Sequence, residues 1–470
     1  MPKHFLNGLL VDCSRVLERH EYYFRLVDLM AEWGMNTLQM HFSDDHGLAV
    51  QLPGLEHIAM PHAMSAETVG DLVDHAARHD ITVIPELETF GHIRYVTDHP
   101  DYQHLAAWHN PQWMKFNAID PLSLEAFALL KRLIAGVCEL FPSRYVHIGC
   151  DEVNISRLCK RDNLDAAVVW TDHVNRIIHE FAARNRVTMF WADHAVGNER
   201  IRELLDKNAV AVHWHYDAEV DDEPIEVLQA AGFGDVILAP ATGSHLMRFL
   251  PTEVTLSNIR AMATHARTHE TRGVITAQWE PYRYPQRAMD YATAFAAEAV
   301  RAGGRIDRDA FDRTFAREAF DLPYAGALAE FLAGWTALDV PPELFQTWVK
   351  NRNEPSAETR RQVRAVNEFG HALLPGVEAV EPKRNADVWE AMVLAARCAW
   401  ICSEAYMVHH RRVSCKRAEA YNEELDRCRK DLAANWDATR FPDDPNRNKA
   451  RFKGIAMDYA LLALRRLPPL

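Results

Sequence analysis

Eight times before about residue 304, a short apolar run rich in β-branched side chains is followed by a longer stretch whose apolar residues recur at helical spacing. No other feature limits the fold as much. Strands separated by crossover helices pair in parallel, and eight such units close into a (β/α)8 barrel with its working face at the C-terminal strand ends. The runs predict strands over 5–12, 36–41, 81–85, 145–148, 187–191, 210–214, 235–239 and 273–279. Helical patterns fall at 21–33, 68–79, 123–140, 169–184, 254–269 and 287–302. The sixth unit is weakest, with barely two helical turns over 225–231. After Gly303-Gly304 the pattern changes to long helical segments at 308–320, 357–374, 386–408 and 415–437, punctuated by Pro341-Pro342, Pro375, Pro382 and Pro442. The fold expected is α/β: a (β/α)8 TIM barrel over residues 1–304, then a mostly α-helical C-terminal domain over 305–470. That domain is expected to pack on the barrel or on a second subunit of a homodimer.

Composition narrows the partners. The 470 residues are 48% hydrophobic and 25% charged, with a formal net charge of −14, so neither nucleic acid nor an anionic membrane is an expected partner. The basic cluster at 409–412 is expected to be a solvated helix face. The eight cysteines are scattered without paired CxxC spacing, which indicates neither a zinc site nor a disulfide framework. Residues 1–20 hold only a brief apolar run and no small-residue cleavage site, and no 18-residue apolar stretch follows. A cytoplasmic location is therefore expected.

If the barrel is an enzyme, residues just past each strand should carry chemistry, and they do. The first strand delivers Asp12 and Arg15, the second His41, Asp44 and Asp45, and the third Glu86, Glu88 and His92. The fourth ends in Asp151-Glu152, the fifth in Trp191, Asp193 and His194, the sixth in Trp214, His215 and Tyr216, and the eighth in Trp279 and Glu280. Adjacent acids cannot both ionise freely, which favours a proton donor beside an anion. The plain alternative is that Asp151 and Glu152 cap the next helix. Three tryptophans among carboxylates suggest a sugar pocket, because indole faces pack on pyranose C–H faces while acids hold hydroxyls. A single tryptophan there would more ordinarily be core.

In order along the chain, the stretches 7–15 (NGLLVDCSR), 40–47 (MHFSDDHG), 85–92 (PELETFGH), 147–152 (HIGCDE) and 278–280 (QWE) resemble the retaining β-N-acetylhexosaminidases of glycoside hydrolase family 20. The resemblance implies substrate-assisted catalysis, in which the substrate's own 2-acetamido oxygen attacks C1 and forms an oxazolinium ion. It makes Glu152 the general acid and then base, and Asp151 the residue that orients the acetamide. Asp44 and His92 would tune Glu152, Trp191, Trp214 and Trp279 would wall the acetamide and ring, and Glu280 would hold distal hydroxyls. The implied substrate is a small amino-sugar glycoside or oligosaccharide, and no metal or organic cofactor is required.

The chain departs from that pattern in places. Asn7 stands where the family usually has an Arg that grips distal hydroxyls, and Leu48 follows the Asp-Asp loop where a Trp is common. Trp279-Glu280 compresses a Trp-x-Glu, and 237–250 lacks the tyrosine that holds the acetamide, leaving Tyr216 as the substitute at hand. Two alternatives stay open, the first of them because of these departures. One is a catalytically degenerate sugar-binding barrel. The other is a metal-dependent amidohydrolase-like enzyme using His213 and His215, for which no third ligand stands out.

Overall fold

The computed structural model describes residues 5–108, 118–243, 250–281, 284–338, 356–411 and 415–441. Pro341-Pro342, Pro442 and the side chains of the 409–412 cluster lie outside what it describes. Eight parallel strands close into a barrel: β1 (Leu6–Asp12), β2 (Thr37–His41), β5 (Thr82–Glu86), β6 (Tyr145–His147), β7 (Val187–Trp191), β8 (Val210–Trp214), β9 (Val236–Ala239) and β10 (Gly273–Gln278). Every expected strand is present with its ends within a residue of the expected ones. Between β2 and β5 a two-residue ribbon, β3 (Ser43–Asp44) against β4 (Gly47–Leu48), folds the Asp-Asp-His-Gly stretch back on itself.

Register assigns each strand an inner face. Asp12 pairs with His41, His41 with Glu86, Glu86 with His147, and His147 with Met189. Paired residues of a parallel ladder share a face, so these point into the barrel. Trp191 pairs with Val212. Val212 and Trp214 therefore face inward, and His213 between them faces the helical layer.

The crossover helices begin where short polar side chains satisfy the first free N–H groups. Ser65 accepts from Thr68 N, Ser123 from Ala126 N, and Asp165 from Ala167 N and Val168 N, opening helices Ala66–Arg78, Leu124–Leu140 and Ala166–Ala182. The weak sixth unit holds one eight-residue helix, Glu223–Ala230. Short helices Ser156–Asp162, Asp193–Gly197 and Glu199–Leu204 lie in the connections after β6 and β7. Their few residues leave no helical period to read in the sequence.

Beyond the barrel the four expected long helices form as Arg308–Phe320, Ala357–Val377, Ala386–Arg411 and Cys415–Thr439, joined by an unanticipated Gly326–Gly334. Pro375 does not end its helix. It sits in the last turn of Ala357–Val377, so the missing N–H falls near the end of the hydrogen-bond ladder. By compactness the chain divides into one unit of residues 1–215, 219–240 and 261–277, and another of 216–218, 241–260 and 278–470. Helix Asp290–Ala302 therefore groups with the C-terminal helices, whereas the chain pattern alone breaks at residue 304. None of the described helices is long and apolar enough to cross a membrane.

Candidate active site

The end of β6 explains how neighbouring acids can serve one pocket. Past His147 the backbone turns left-handed at Gly149 (φ 67°), Cys150 (φ 78°) and Glu152 (φ 48°). Outside glycine such conformations cost about 1–3 kcal/mol each and persist only where surroundings enforce them. The enforcement is visible. A Cβ on Gly149 would fall 1.9 Å from Glu88 Oε2, so only glycine lets the loop pass over that buried carboxyl. Cys150 is fully buried. Glu152 N donates to Asp193 Oδ2 at 3.1 Å and Val153 N to His194 Nε2 at 2.9 Å, so the end of β7 clamps the loop from its other side. The pleat's alternation is broken at the point where both acids are needed.

His92, itself left-handed (φ 46°), stands between two pairs of carboxylates. Its Nε2 lies 3.5 Å from Asp151 Oδ2 and 3.4 Å from Glu152 Oε2, and its Nδ1 lies 3.6 Å from Asp44 Oδ2 and 3.5 Å from Asp45 Oδ2. Burial disfavours charge on this ring, yet Asp151, Asp45, Glu152 and Asp44 together hold its pKa well above the usual histidine value. Asp44 stays ionised despite burial because Arg15, His41, His46 and His92 surround it. Arg15 spans Asp12 and Asp44 at 2.8 Å each.

Burial pushes the Asp151 carboxyl up to about 7; His92 opposes the rise, and Asp193, Glu152 and Glu86 add to it. Its Oδ1 is buried and, among the described residues, accepts no hydrogen bond. The pair therefore holds a carboxyl poised near neutrality with an unused acceptor, beside a Glu152 side chain that is 46% exposed. The raised pKa expected of one adjacent acid falls on the more deeply buried member.

Below the rim, Glu86 organises the inner wall. Its Oε1 accepts from Trp191 Nε1 at 2.8 Å and lies 3.1 Å from His41 Nδ1, while its Oε2 accepts from Gln39 Nε2 at 2.8 Å. Burial would raise its pKa, but His41, His147 and Gln39 bring it down to about 2. His41 becomes an imidazolium bridging Glu86 and Asp44, whose Oδ2 is 3.4 Å from His41 Nε2. His147 is driven by burial to about 4 and stays neutral, accepting the Gly149 N–H at Nδ1. Glu88, two residues beyond Glu86, is the opposite case: burial and then Asp151 raise its pKa well above the usual carboxyl value, so it is a neutral acid under the loop. A chain of close polar contacts thus runs from Trp191 through Glu86, His41, Asp44 and His92 to Glu152.

The structure brings together Asp44, His92, Asp151, Glu152 and, beneath them, Trp191. Trp191 is only 2% exposed, so it is part of the floor and not a free-standing wall. Trp214 ends β8 facing inward and is half-buried. Trp279 and Glu280 belong to the other compact unit, where Trp279 Nε1 donates to Tyr216 Oη at 2.8 Å and Glu280 is left-handed (φ 56°). Asn7 is the second residue of β1, five residues before Asp12, or about 16 Å along the strand. A side chain as short as asparagine cannot span that distance to the rim.

The metal-dependent alternative built on His213 and His215 is not supported. His213 faces away from the barrel interior, and burial, with His215 and His265, lowers its pKa to about 4. Among the described residues no group of three candidate ligands contains both. Two groups at the site do have ligand spacing, His41–Glu86–Glu88 and Asp44–Asp45–His92. In each the positive charge is already supplied by a histidine, and in the second Arg15 occupies the approach to Asp44 as well. The sequence marks Arg15, His41, Glu86, Glu88, Asp193 and His194 only by their place past a strand, which gives them no individual role. Alternation on β2 and β5 would have shown that His41 and Glu86 face each other.

A model described as "Glycosyl hydrolase family 20, catalytic domain" matches residues 6–317. A beta-hexosaminidase of Vibrio furnissii is 25% identical over 182 residues, covering 32% of this chain and 29% of that protein. Hexosaminidase D of Bos taurus is 24% identical over 293 residues, covering 56% of this chain and 80% of the bovine one. The match thus spans under a third of the bacterial relative's length and most of the bovine one's. The crystal structure of a beta-N-acetylhexosaminidase from Bacteroides fragilis NCTC 9343 superposes with a TM-score of 0.54 at 19% identity, covering 67% of this chain and 70% of that one, a likeness of fold.

Proposed function

The chain belongs to glycosyl hydrolase family 20, and on that premise we propose that it is a retaining exo-β-N-acetylhexosaminidase removing terminal β-linked GlcNAc or GalNAc by substrate-assisted catalysis. The observation that carries the reading is Asp151 Oδ1, a buried acceptor without a donor among the described residues, next to a carboxyl on the adjacent residue. An acetamide N–H is the donor it lacks. As the acetamide oxygen attacks C1, positive charge develops on the oxazolinium ring. An ionised Asp151 stabilises that charge in surroundings too dry to screen it.

Glu152 then protonates the leaving oxygen and afterwards takes a proton from water. Substrate covers its exposed carboxyl, and desolvation favours the protonated form needed for the first step. The imidazolium of His92, 3.4 Å from Glu152 Oε2, is a proton store beside it, kept charged by Asp44 and Asp45. Trp191, fixed through its indole N–H, gives the acetamide methyl an apolar floor. Roles for Trp214, Trp279 and Glu280 rest on the family resemblance.

Glu152→Gln keeps the shape and removes the titrating proton. It should lower kcat on p-nitrophenyl β-GlcNAc by at least about 100-fold with folding intact. A variant as active as the parent refutes the assignment.

A further inference from the structure

Two residues beyond Glu152 the chain enters the wall of a cavity of about 300 Å3. One side is formed by residues 154–158, continuing the loop that carries both acids. The other is formed by Ala107 and Trp108, from the connection after β5 that carries His92. The cavity is thus built from the two loops that supply the proton donor and its histidine. Arg157 lies with its guanidinium carbon 3.8 Å from the centre of the Trp108 indole. Stacking occupies the face of the guanidinium and leaves its N–H edge available for a planar anion. Among the described residues no carboxylate pairs with Arg157, whereas Arg161 one turn on is paired with Asp162. In a chain with 66 acidic and 52 basic residues, Arg157 is held by an aromatic ring and, among the described residues, by no acid.

Resting on the glycosidase reading above, we propose that this cavity is the leaving-group subsite and that it selects an aglycone pyranose bearing an anionic group, a carboxylate or a sulfate, which Arg157 takes. The placement follows from the chemistry. The acid that protonates the glycosidic oxygen stands between the sugar that is released and the sugar that leaves, so the segment following Glu152 meets the leaving group. The volume suits a single pyranose. A protein with net charge −14 repels an anionic substrate at a distance, so acceptance needs a local cation. Trp108 supplies the rigidity that lets a surface arginine act without losing its order to solvent.

The test compares kcat/KM on three disaccharides with β-GlcNAc linked to glucuronic acid, to 6-sulfated GlcNAc, and to neutral GlcNAc. The parent enzyme, Arg157→Gln, and Arg157→Lys, which keeps charge but not the planar edge, are measured side by side. The parent should prefer at least one anionic disaccharide over the neutral one by about tenfold or more, the scale of one charge-assisted hydrogen bond. Whichever anion is preferred identifies the source. Arg157→Gln should bring that ratio to within about twofold, chiefly through KM, and Arg157→Lys should fall between. An equal rate on all three in the parent, or a preference that survives Arg157→Gln, overturns the subsite. An enzyme silent on these and on p-nitrophenyl β-GlcNAc overturns the glycosidase reading instead, and the subsite with it.

Discussion

Replacing Glu86 by glutamine should destabilise the protein by about 3 kcal/mol at pH 7, and the loss should disappear in acid. The carboxylate is fully buried and held at about 2 against an ordinary 4.5. At about 1.4 kcal/mol per pKa unit its surroundings favour the charged form by about 3 kcal/mol, consistent with the cost of breaking a buried ion pair. Glutamine preserves an acceptor for Trp191 Nε1, but its amide faces the Gln39 amide and removes the anion from His41. Because the folded-state pKa is depressed, this contribution is complete above about 4.5 and is lost as pH falls toward about 2. Urea unfolding of parent and variant should therefore give midpoints that are well separated at pH 7 and converge in acid. Stabilities within about 0.5 kcal/mol at pH 7, the range of a neutral surface change, would refute the argument that Glu86 anchors the inner wall. So would a gap that does not narrow in acid.

Other consequences can be checked alongside. Asp193→Asn keeps an acceptor for Glu152 N–H and removes a charge that raises Asp151. The acid limb of kcat/KM, expected near the Asp151 value of about 7, should move to lower pH, and an unmoved limb would contradict the coupling. Gly149→Ala places a Cβ 1.9 Å from Glu88 Oε2 at a φ of 67°, whereas Gly34→Ala, at a φ of 74°, meets nothing within 4 Å. The second should cost about 1 kcal/mol from backbone strain alone and the first several times that with loss of turnover. Equal unfolding midpoints would show that the loop does not rest on Glu88.

Much of this arrangement follows from residue order because the barrel imposes period and polarity. Strand ends after apolar runs located Asp44, His92, Asp151 and Glu152, and the structure puts all four within one cluster of contacts. Alternation also held information that motif matching passes over. If Trp214 faces inward, His213 must face outward, and a residue five places before Asp12 belongs to the far end of β1. Other features depend on three-dimensional crowding and have no local signature. The left-handed turns at Cys150 and Glu152 lie in a loop that passes over Glu88 at Gly149 and is held from the other side by Asp193 and His194. Burial raises the pKa of both Glu86 and Glu88, but His41, His147 and Gln39 bring Glu86 down, whereas Asp151 adds to the rise of Glu88. The short helix after β7, whose Asp193 and His194 fix the acid loop, spans too few residues for periodicity to show.

In substrate-assisted catalysis the substrate's acetamide is the nucleophile, and Asp151 is proposed as its partner. The most direct measurement is turnover of paired p-nitrophenyl β-GlcNAc and β-glucoside by the parent and by Asp151→Asn, with and without a thiazoline analogue of the oxazolinium ion. The mechanism predicts turnover of the acetamido sugar alone, its inhibition by the thiazoline, and a loss of at least about 100-fold in Asp151→Asn. Comparable hydrolysis of the plain glucoside, insensitive to the thiazoline, would contradict it and point to a carboxylate nucleophile.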